Sequence, residues 1–363
     1  MKFNITVMPG DGIGPEIINE TVRVLKAAQR IVTGFELDMQ SYDAGVAHYL
    51  KTGTVLPDDV LKACEDSHAM LLGAIGQPNA DTQVVRDERG TEVNGELVIR
   101  LRRHFQLYAG IRPIKYYEGI TSPLKDPKGI DFVILRENTE GLYISYGGGI
   151  KLRDTLAVDS LVVTREASER LFEYGFSLAK ERANKQMLTC VDKSNVLSSM
   201  ALFRNVYDEV AQKHPSIQKD YAFVDAMALW MVQKPQYYDV VVTENSHGDI
   251  LSDLGAALIG GMGMAPSGDV GENTGVFQPS HGTAPTIVGK NIANPIATIL
   301  SGRMMLEFLH RKYCVIELKI AAELIENSVK AVLEQGVFTQ ELGGNTSTTG
   351  MADAIIAHMQ QGQ

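Results

Sequence analysis

The 363-residue sequence has only three cysteines and one tryptophan, and it has no long apolar run. Cys64, Cys190 and Cys314 are far apart and form no Cys-X-X-Cys pair, which argues against a disulfide framework and a cysteine-based zinc site. No apolar run approaches the roughly 18 residues of a membrane span. The N-terminal stretch MKFNITVMPGDG predicts a strand where a signal peptide would need a longer apolar region. We therefore expect a cytoplasmic protein with no membrane partner.

Basic residues are also in deficit, with 34 Lys and Arg against 44 Asp and Glu and a net charge of −10. A nucleic acid or an anionic membrane surface would be repelled over most approaches, so we expect no nucleic-acid partner. Hydrophobic residues make up 44% and charged residues 21%, as in ordinary globular proteins. The chain is long enough for two domains and for a core that needs no disulfides.

Strand-like and helical patterns alternate in the N-terminal part of the chain. A strand over 3–8 leads through PGDGIGPE into a helix over 15–30, and residues 35–80 repeat the rhythm with helices near 44–52 and 57–67. This alternation predicts an α/β fold. Gly10 and Gly12 have the first spacing of GxGxxG, but Pro15 occupies the third glycine position, and Asp11 would lie close to a pyrophosphate. The glycines therefore predict a tight strand-to-helix turn rather than a Rossmann loop.

The stretch from 240 to 266 carries two carboxylates at helical spacing. An apolar strand over 240–242 breaks at 245–248 and gives way to a helix with Asp249 and Asp253. If Asp249 opens the helix, both lie on one face roughly 5–6 Å apart, which suits chelation of one hard cation. The alternative is that Asp249 caps the helix and Asp253 is solvated.

Three arginines accompany apolar segments. Arg102 lies in a predicted helix over 97–107, Arg112 lies in an extended segment over 110–116, and Arg136 closes the apolar strand IDFVILR. The planar guanidinium group pairs bidentately with carboxylates, so the three together suit a di- or tricarboxylate substrate. Surface salt bridges are the alternative for any one of them.

Two further charged residues stand beside apolar segments. Lys193 directly follows the predicted strand MLTCVD, and it is a candidate base because desolvation favours the neutral amine. Asp225 lies within YAFVDAMALWMV, where a carboxylate needs a cation or a helix N-terminus to offset burial.

Several less regular stretches remain. Residues 277–295, FQPSHGTAPTIVGKNIANP, predict a ligand-binding loop in which Gly282 permits close backbone approach to a phosphate. Residues 81–95 predict a loop over a site or a plain exposed loop, and 147–153 predict a glycine-rich turn of a hairpin or arm. The C-terminal part finishes with two predicted helices, over 317–335 and 350–360.

Six motifs span nearly the whole chain: PGDGIGPE at 9–16, LRRHFQLYAGIRP at 101–113, LRENTEGLY at 135–143, DKSNVL at 192–197, GDILSDL at 248–254, and HGTAP with NIANP at 281–295. This ordered set resembles the β-decarboxylating dehydrogenases, the family of isocitrate, 3-isopropylmalate, homoisocitrate and D-malate/tartrate dehydrogenases. The resemblance implies two α/β domains that are not Rossmann folds. The larger, cofactor-side domain comprises 1–107 plus 260–363, and the smaller central domain, 108–259, carries the dimer interface and an arm. It also implies a homodimer with shared active sites, or a higher oligomer.

The resemblance assigns roles to individual residues. Asp249 and Asp253 of one subunit and Asp225 of the other match ligands of Mg²⁺ or Mn²⁺, and Asp225 also counts among the catalytic residues with Tyr143 and Lys193. Tyr143 matches a proton donor to the enol, and Lys193, which would enter the neighbouring site, matches the base. Substrate binding is implied for Val98, Ile99, Arg102, Arg112 and Arg136, and cofactor binding for Ile13, His281, Gly282, Thr283, Ala284, Thr286, Ile287 and Asn294.

These residue types fit one reaction, the oxidation of a 2-hydroxy acid followed by loss of CO₂. A metal ion would acidify the 2-hydroxyl while Lys193 takes its proton and hydride leaves C2 for the nicotinamide. The resulting β-keto acid would lose CO₂, and Tyr143 would supply or relay a proton toward C3.

The substrate side of the resemblance contains conflicting cues. Isocitrate-type members carry a serine and an asparagine where this chain has Glu96 and Val98, which favours an apolar or small C3 substituent. Asn138 and Glu140 instead resemble the isocitrate, homoisocitrate and malate branches. We therefore expect a (2R)-malate-type substrate, either D-malate or tartrate or a 3-alkylmalate such as 3-isopropylmalate. Isocitrate or homoisocitrate dehydrogenase is the alternative, and a non-catalytic regulatory subunit is the alternative of another class.

The chain departs from the family at four further positions, most of them on the cofactor side. Thr286 and Ile287 provide neither the aspartate typical of NAD-dependent members nor the lysine and tyrosine of NADP-dependent ones, and with no cation for a 2′-phosphate the expectation is NAD, with NADP as the alternative. Gln278 replaces the glutamate that usually stands three residues before His281, which puts the nicotinamide contacts in doubt. His247 stands where relatives have an aromatic or apolar residue.

Overall fold

The computed structural model describes residues 1–361 and shows a mixed α/β architecture around one ten-stranded sheet. The strands are β1 (Lys2–Met8), β2 (Glu36–Ser41), β3 (Ala69–Leu72), β4 (Ala109–Lys115), β5 (Asp131–Glu137), β6 (Ile150–Leu152), β7 (Leu156–Val158), β8 (Met187–Asp192), β9 (Gln218–Phe223), β10 (Val240–Thr243), β11 (Pro266–Val270) and β12 (Gly275–Pro279). The helices are α1 (Gly14–Ile31), α2 (Val46–Thr52), α3 (Asp58–Glu65), α4 (Glu96–His104), α5 (Arg165–Arg182), α6 (Ser198–Ala211), α7 (Val224–Gln233), α8 (Asn245–Leu258), α9 (Ile296–Tyr313), α10 (Ile316–Glu334) and α11 (Thr348–Gln361).

The large sheet has the order β2-β1-β3-β12-β11-β4-β5-β10-β8-β9. The outer strands pair in parallel, whereas β11 and β4 at the centre are antiparallel to both of their neighbours. The five strands from β2 to β11 come from 1–107 and 260–363, and the five from β4 to β9 come from 108–259. The division into two domains stays a prediction, and the hydrogen-bonded ladder between β11 and β4 runs across its boundary.

The central strands present different residues to the two faces of the sheet. Arg112, Arg136 and Gln278 border a cavity on one face, whereas Ile111 and Phe277 border a cavity on the other. This division follows from the two-residue period of a strand. Strands β8 and β10 are buried at every position, as expected where a parallel sheet is covered on both sides. In the described chain, no helix is long and apolar enough to cross a bilayer.

The turn after β1 agrees with its prediction, but Asp11 has a structural role. Gly10 and Gly12 adopt φ of +73° and +59°, a left-handed conformation that glycine adopts without strain. The buried carboxylate of Asp11 accepts hydrogen bonds from the backbone N–H groups of Val46 and Ala47, at 2.8 and 2.7 Å. Asp11 thus holds the first turn of α2.

Helix and hairpin predictions were correct in kind and differed in detail. Helix α1 begins one residue before Pro15, and α10 and α11 match the two predicted C-terminal helices within two residues. Helix α9 was not predicted. The expected hairpin exists as β6 and β7, but its turn is at 153–155, after the glycine-rich stretch, and its apolar residues are exposed.

Candidate active site

A cavity of about 310 Å³ lies on the face of the sheet covered by α4 and α8. It gathers ten of the predicted site residues, namely Val98, Ile99, Arg102, Arg112, Arg136, Tyr143, Asp249, Asp253, His281 and Gly282. It also includes residues that the sequence did not single out, among them Ile75, Asn94, Ser252 and Ser280. Ile75 follows β3 in a glycine-containing turn, which is the signal that could have indicated it. Asn94 lies in the 81–95 loop, so that loop does border the site.

The three arginines lie on separate elements and meet in this cavity. Arg102 is on α4, Arg112 on β4 and Arg136 on β5, and all three are buried. Burial, together with the neighbouring guanidinium charge of Arg102, lowers the pKa of Arg136 to about 10, so Arg136 remains cationic at neutral pH, as guanidinium groups in proteins generally do. Three buried cations around one cavity need anionic partners. The surface salt-bridge alternative is therefore excluded for these arginines.

Arg136 is anchored on the N-terminal half of α8. Its Nη2 and Nε donate to Oδ1 of Asn245 at 2.7 and 3.1 Å, and its Nη1 donates to Asp249. A Cβ on Gly248 would lie 2.7 Å from Cγ of Arg136, so the absent side chain allows the helix to pass over the arginine. The motif GDILSDL thus has a glycine for packing as well as two aspartates.

The positions of the two aspartates in α8 differ from both readings of the sequence. Helix α8 begins at Asn245, and Glu244 is its N-cap, accepting from the N–H of His247 at 2.7 Å. Asp249 therefore neither opens nor caps the helix, because it lies in the second turn. Both carboxylates nevertheless border the cavity. The Nδ1 atom of His247 is buried and makes no hydrogen bond in the described chain, and it lies 3.5 Å from Oε1 of Glu244.

The environments of the two carboxylates give them different pKa values. Burial raises the pKa of Asp249, but the positive charges of the three arginines and the hydrogen bond from Tyr143 together outweigh burial and hold it below the ordinary value. Burial and the negative charge of Asp249 raise the pKa of Asp253. Within residues 1–361, the side chain of Asp253 makes no hydrogen bond or ion pair. Its repulsion by Asp249 would be relieved by a cation between them.

Tyr143 reaches the cavity from the segment that follows β5. Its hydroxyl donates to Oδ2 of Asp249 at 2.8 Å, and its ring lies 5.5 Å from the guanidinium carbon of Arg136. Burial and the negative charge of Asp249 raise the pKa of Tyr143 to about 12. The phenol is therefore protonated at neutral pH and can act as a proton donor.

Lys193 and Asp225 lie away from this cavity. Lys193 follows β8 and donates to Asp225 at 2.5 Å, and neither residue is among those that border the cavity in residues 1–361. The expectation that Asp225 is buried is wrong for the single chain, since its side chain is 66% exposed. It stands in the first turn of α7, where the free N–H groups of the helix stabilise a carboxylate.

The predicted cofactor residues form a loop beside the cavity. His281 and Gly282 border it, and the Cβ position of Gly282 is open to solvent or ligand. The carbonyl of Thr283 accepts from the N–H of Ile13 at 3.0 Å, so this loop packs against the turn after β1. Ala284 precedes a short 3₁₀ turn that includes Thr286 and Ile287. Asn294 is buried and donates to Glu341 at 3.1 Å.

The residues that gave conflicting indications of the substrate lie in different parts of the structure. Val98 and Ile99 border the cavity beside Arg102, whereas Arg100 turns away and donates to the carbonyl of Leu56, as its position two residues earlier predicts. In the described part of the chain, Glu96, Asn138 and Glu140 do not border the cavity. Val98 and Ile99, which indicate an apolar substituent, are therefore the residues placed to contact a ligand.

The whole chain matches a known protein family. Residues 4–355 match the family model described as isocitrate/isopropylmalate dehydrogenase. The chain is 38% identical to the 3-isopropylmalate/3-methylmalate dehydrogenase of Methanocaldococcus jannaschii, over 98% of this chain and 99% of the relative. It is 40% identical to the 3-isopropylmalate dehydrogenase of Listeria innocua, over the full length of both.

Solved structures agree with these sequence matches. Isocitrate dehydrogenase from Methylococcus capsulatus superimposes with a TM-score of 0.84 at 37% identity, covering 99% of this chain and 100% of that one. The TT0538 protein from Thermus thermophilus gives a TM-score of 0.84 at 33% identity, covering 98% and 68%. The chain belongs to the isocitrate/isopropylmalate dehydrogenase family. Within it, the protein is a β-decarboxylating dehydrogenase, an oxidoreductase, as its motifs predicted.

Proposed function

We propose that this enzyme catalyses the oxidative decarboxylation of a 3-alkyl-substituted (2R)-malate, with NAD as hydride acceptor and Mg²⁺ or Mn²⁺ as the metal. The observation that carries the proposal is the placement of Val98, Ile99 and Ile75 beside three buried arginines in one cavity. Arginines suit the two carboxylates of a malate, and the apolar side chains suit an alkyl group at C3. Relatives named for 3-isopropylmalate and 3-methylmalate support the same substrate class.

The donor set fits a divalent metal ion. Asp249 and Asp253 supply carboxylate oxygens, which Mg²⁺ and Mn²⁺ prefer. Within residues 1–361 no group of three acidic, histidine or cysteine side chains could hold a metal, so one chain supplies only part of a coordination sphere. A third carboxylate and the substrate's own oxygens would complete it. Asp225 of a second copy is the residue we propose for the third.

The loop at 281–287 suits a dinucleotide. Gly282 leaves its backbone approachable, and the Nε2 atom of His281 is buried without a hydrogen-bond partner in the described residues. Burial lowers the pKa of His281, so its ring is neutral at physiological pH and one ring nitrogen can accept a hydrogen bond. Thr286 is exposed, and the short 3₁₀ turn that contains it has no arginine or lysine to bind the 2′-phosphate of NADP. This favours NAD over NADP. We assign Ile13, Thr283, Ala284, Ile287 and Asn294 to the support of this loop.

The side chains have separate tasks in the proposed mechanism. Asp249 and Asp253 would hold a metal ion that polarises the 2-hydroxyl when bound, and the loop with His281 and Gly282 would hold the NAD that takes the hydride. Arg102, Arg112 and Arg136 hold the carboxylates, which fixes the orientation of C2 and C3. Tyr143 keeps its proton until CO₂ has left and then delivers it toward C3. The proton that reaches C3 therefore has a donor that is protonated at neutral pH.

Lys193 is the proposed base for the 2-hydroxyl proton, and it acts in a neighbouring subunit. Asp225, Leu229 and Val232 lie four and seven residues apart on one face of α7, and Leu229 and Val232 are 54% and 45% exposed. Ile250, next to Asp249 on α8, is 68% exposed. A second copy that covers this apolar face would bring Asp225 and its partner Lys193 toward another active site. We therefore propose a homodimer with shared sites.

A spectrophotometric panel tests the substrate. The enzyme is assayed with 3-isopropylmalate, 3-methylmalate, D-malate, tartrate, isocitrate and homoisocitrate, each with NAD⁺ or NADP⁺ and Mn²⁺. We expect the highest kcat/KM with a 3-alkylmalate and NAD⁺. Ile99→Ala should lower kcat/KM for 3-isopropylmalate about 10-fold relative to D-malate, because each lost apolar contact is worth that factor. Leu50→Ala, at an exposed position of α2, is the matched control. A higher kcat/KM for isocitrate would contradict the proposal.

A further inference from the structure

A buried carboxylate, Asp269, lies directly behind the substrate arginines. It is on β11, between β12 and β4, and it is 1% exposed. Arg102 donates from Nε to its Oδ2 at 2.8 Å, and Arg112 donates from Nη2 to its Oδ1 at 3.4 Å. Asp269 itself is not among the cavity-lining residues of the described chain, so it touches the site only through its neighbours.

Two amides complete the surroundings of this carboxylate. Nδ2 of Asn138 donates to its Oδ1 at 2.9 Å, and Nε2 of Gln278 lies 3.4 Å from its Oδ2. Gly110 is directly opposite Asp269 in the strand register, and a Cβ there would lie 2.7 Å from Nδ2 of Asn138. The missing side chain of Gly110 thus leaves room for the amide to reach Asp269.

All four polar neighbours donate, so the carboxylate is ionised. Burial raises the pKa of Asp269, but Arg102 and Arg112 outweigh burial and lower it to about 2. The contacts use Nε of Arg102 and Nη2 of Arg112, which leaves other guanidinium nitrogens for the cavity. Nη1 of Arg112 is buried and has no hydrogen-bond partner within residues 1–361, as expected for an atom that awaits a ligand oxygen.

Gln278 stands where the resemblance expects a glutamate. Gln278 on β12 and Asp269 on β11 are on adjacent strands, and the side-chain amide of Gln278 lies 3.4 Å from the carboxylate of Asp269. The local negative charge is therefore present in this chain, but it comes from β11 instead of β12.

We propose that Asp269 is a positioning residue, which fixes Arg102 and Arg112 in the orientation that binds the substrate carboxylates and supplies the acidic charge that position 278 lacks. The identity of the substrate rests on the proposed function. The orientation of the arginines does not.

Three variants test this role: Asp269→Asn, Gln278→Glu and the double variant D269N/Q278E. Kinetics are measured on whichever hydroxy acid of the panel the wild type oxidises. We expect D269N to lose about 100-fold in kcat, because a reacting group displaced by about 1 Å costs that much. KM should change less than about threefold, because the arginine charges remain. The double variant should recover kcat to within about tenfold of wild type, because a carboxylate is again beside the arginines.

A readout that needs no activity separates this role from the proposed function. In ¹⁵N-labelled protein, the buried Nε–H of Arg102 should be protected from solvent exchange, and Arg102→Lys identifies its signal. Protection should be lost in D269N and regained in D269N/Q278E. A D269N variant that retains both kcat within tenfold and protection overturns the inference, and so does a double variant no more active or protected than D269N. If D269N does not fold, an unfolded or inactive double variant also overturns it. A wild type that oxidises no 3-alkylmalate contradicts only the proposed function.

Discussion

Replacing Tyr143 with phenylalanine removes one oxygen from the site and tests its proposed role directly. The hydroxyl donates to Asp249 at 2.8 Å, and its pKa of about 12 leaves about one molecule in 10⁵ ionised at pH 7. The residue is therefore suited to give a proton rather than to take one. A positioned general acid contributes about 10²–10⁴ in rate. We expect Tyr143→Phe to lower kcat by a factor in that range.

The proposed role also predicts which quantities stay constant. Arg102, Arg112 and Arg136 still hold the carboxylates, so KM should change less than about threefold. The pH profile of the wild type should show no loss of rate below about pH 11 that is due to Tyr143, because a raised pKa keeps the phenol protonated over that range. Product analysis in ²H₂O should show that deuterium enters C3 without the stereochemical control found in the wild type.

Tyr146 provides a matched control three residues further along. Its hydroxyl donates to the carbonyl of Glu92 at 2.6 Å, and Tyr146 is not among the residues that border the cavity in the described chain. Tyr146→Phe makes the same chemical change and should alter kcat less than about threefold. If Tyr143→Phe kept more than a tenth of wild-type kcat, or if both variants lost the same factor, Tyr143 would not be the proton donor.

Three further predictions concern the metal, the subunit contact and acid stability. Asp253→Asn should weaken Mn²⁺ binding at least about tenfold by calorimetry without lowering the melting temperature, since the side chain of Asp253 makes no hydrogen bond or ion pair in residues 1–361 that the change would break. Leu229→Glu should give monomers by light scattering and abolish activity; an active monomer would contradict shared sites. The pKa of Asp269 is lowered to about 2, so its ionised carboxylate stabilises the folded protein fully above about pH 4. This contribution is lost as the pH falls through about 2. Urea unfolding should show wild type losing about 2 kcal/mol more than Asp269→Asn between pH 5 and pH 2, and equal losses would refute this.

The residues that the sequence identified share a local signal. Arg112 and Arg136 are charged residues within or ending buried strands, and Asp249 and Asp253 have the spacing of one helix face. These residues could be predicted because the local helix or strand already determines the direction of the side chain. The first residue of α8 was not predicted correctly, because the residue that caps the helix, Glu244, directly follows the preceding strand.

The elements that the sequence did not reveal depend on distant parts of the chain. Helix α9 is buried on most of its circumference, so its sequence lacks the alternation of apolar and polar faces that identifies a surface helix. The role of Asp269 depends on β11 lying between β12 and β4, and no pattern within PSGDV indicates those neighbours. The exposure of Asp225 reflects a face of α7 that the single chain leaves uncovered.

The charges around the cavity connect Asp269 with the choice of substrate. One chain contributes three arginines, Arg102, Arg112 and Arg136, and three aspartates, Asp249, Asp253 and Asp269, so the buried charges from these six side chains balance. A divalent metal ion and a dicarboxylate substrate also cancel, whereas a tricarboxylate would leave one negative charge unmatched in a buried site. A malate with an apolar substituent at C3 fits this charge balance, and Val98 and Ile99 on the cavity wall agree with it.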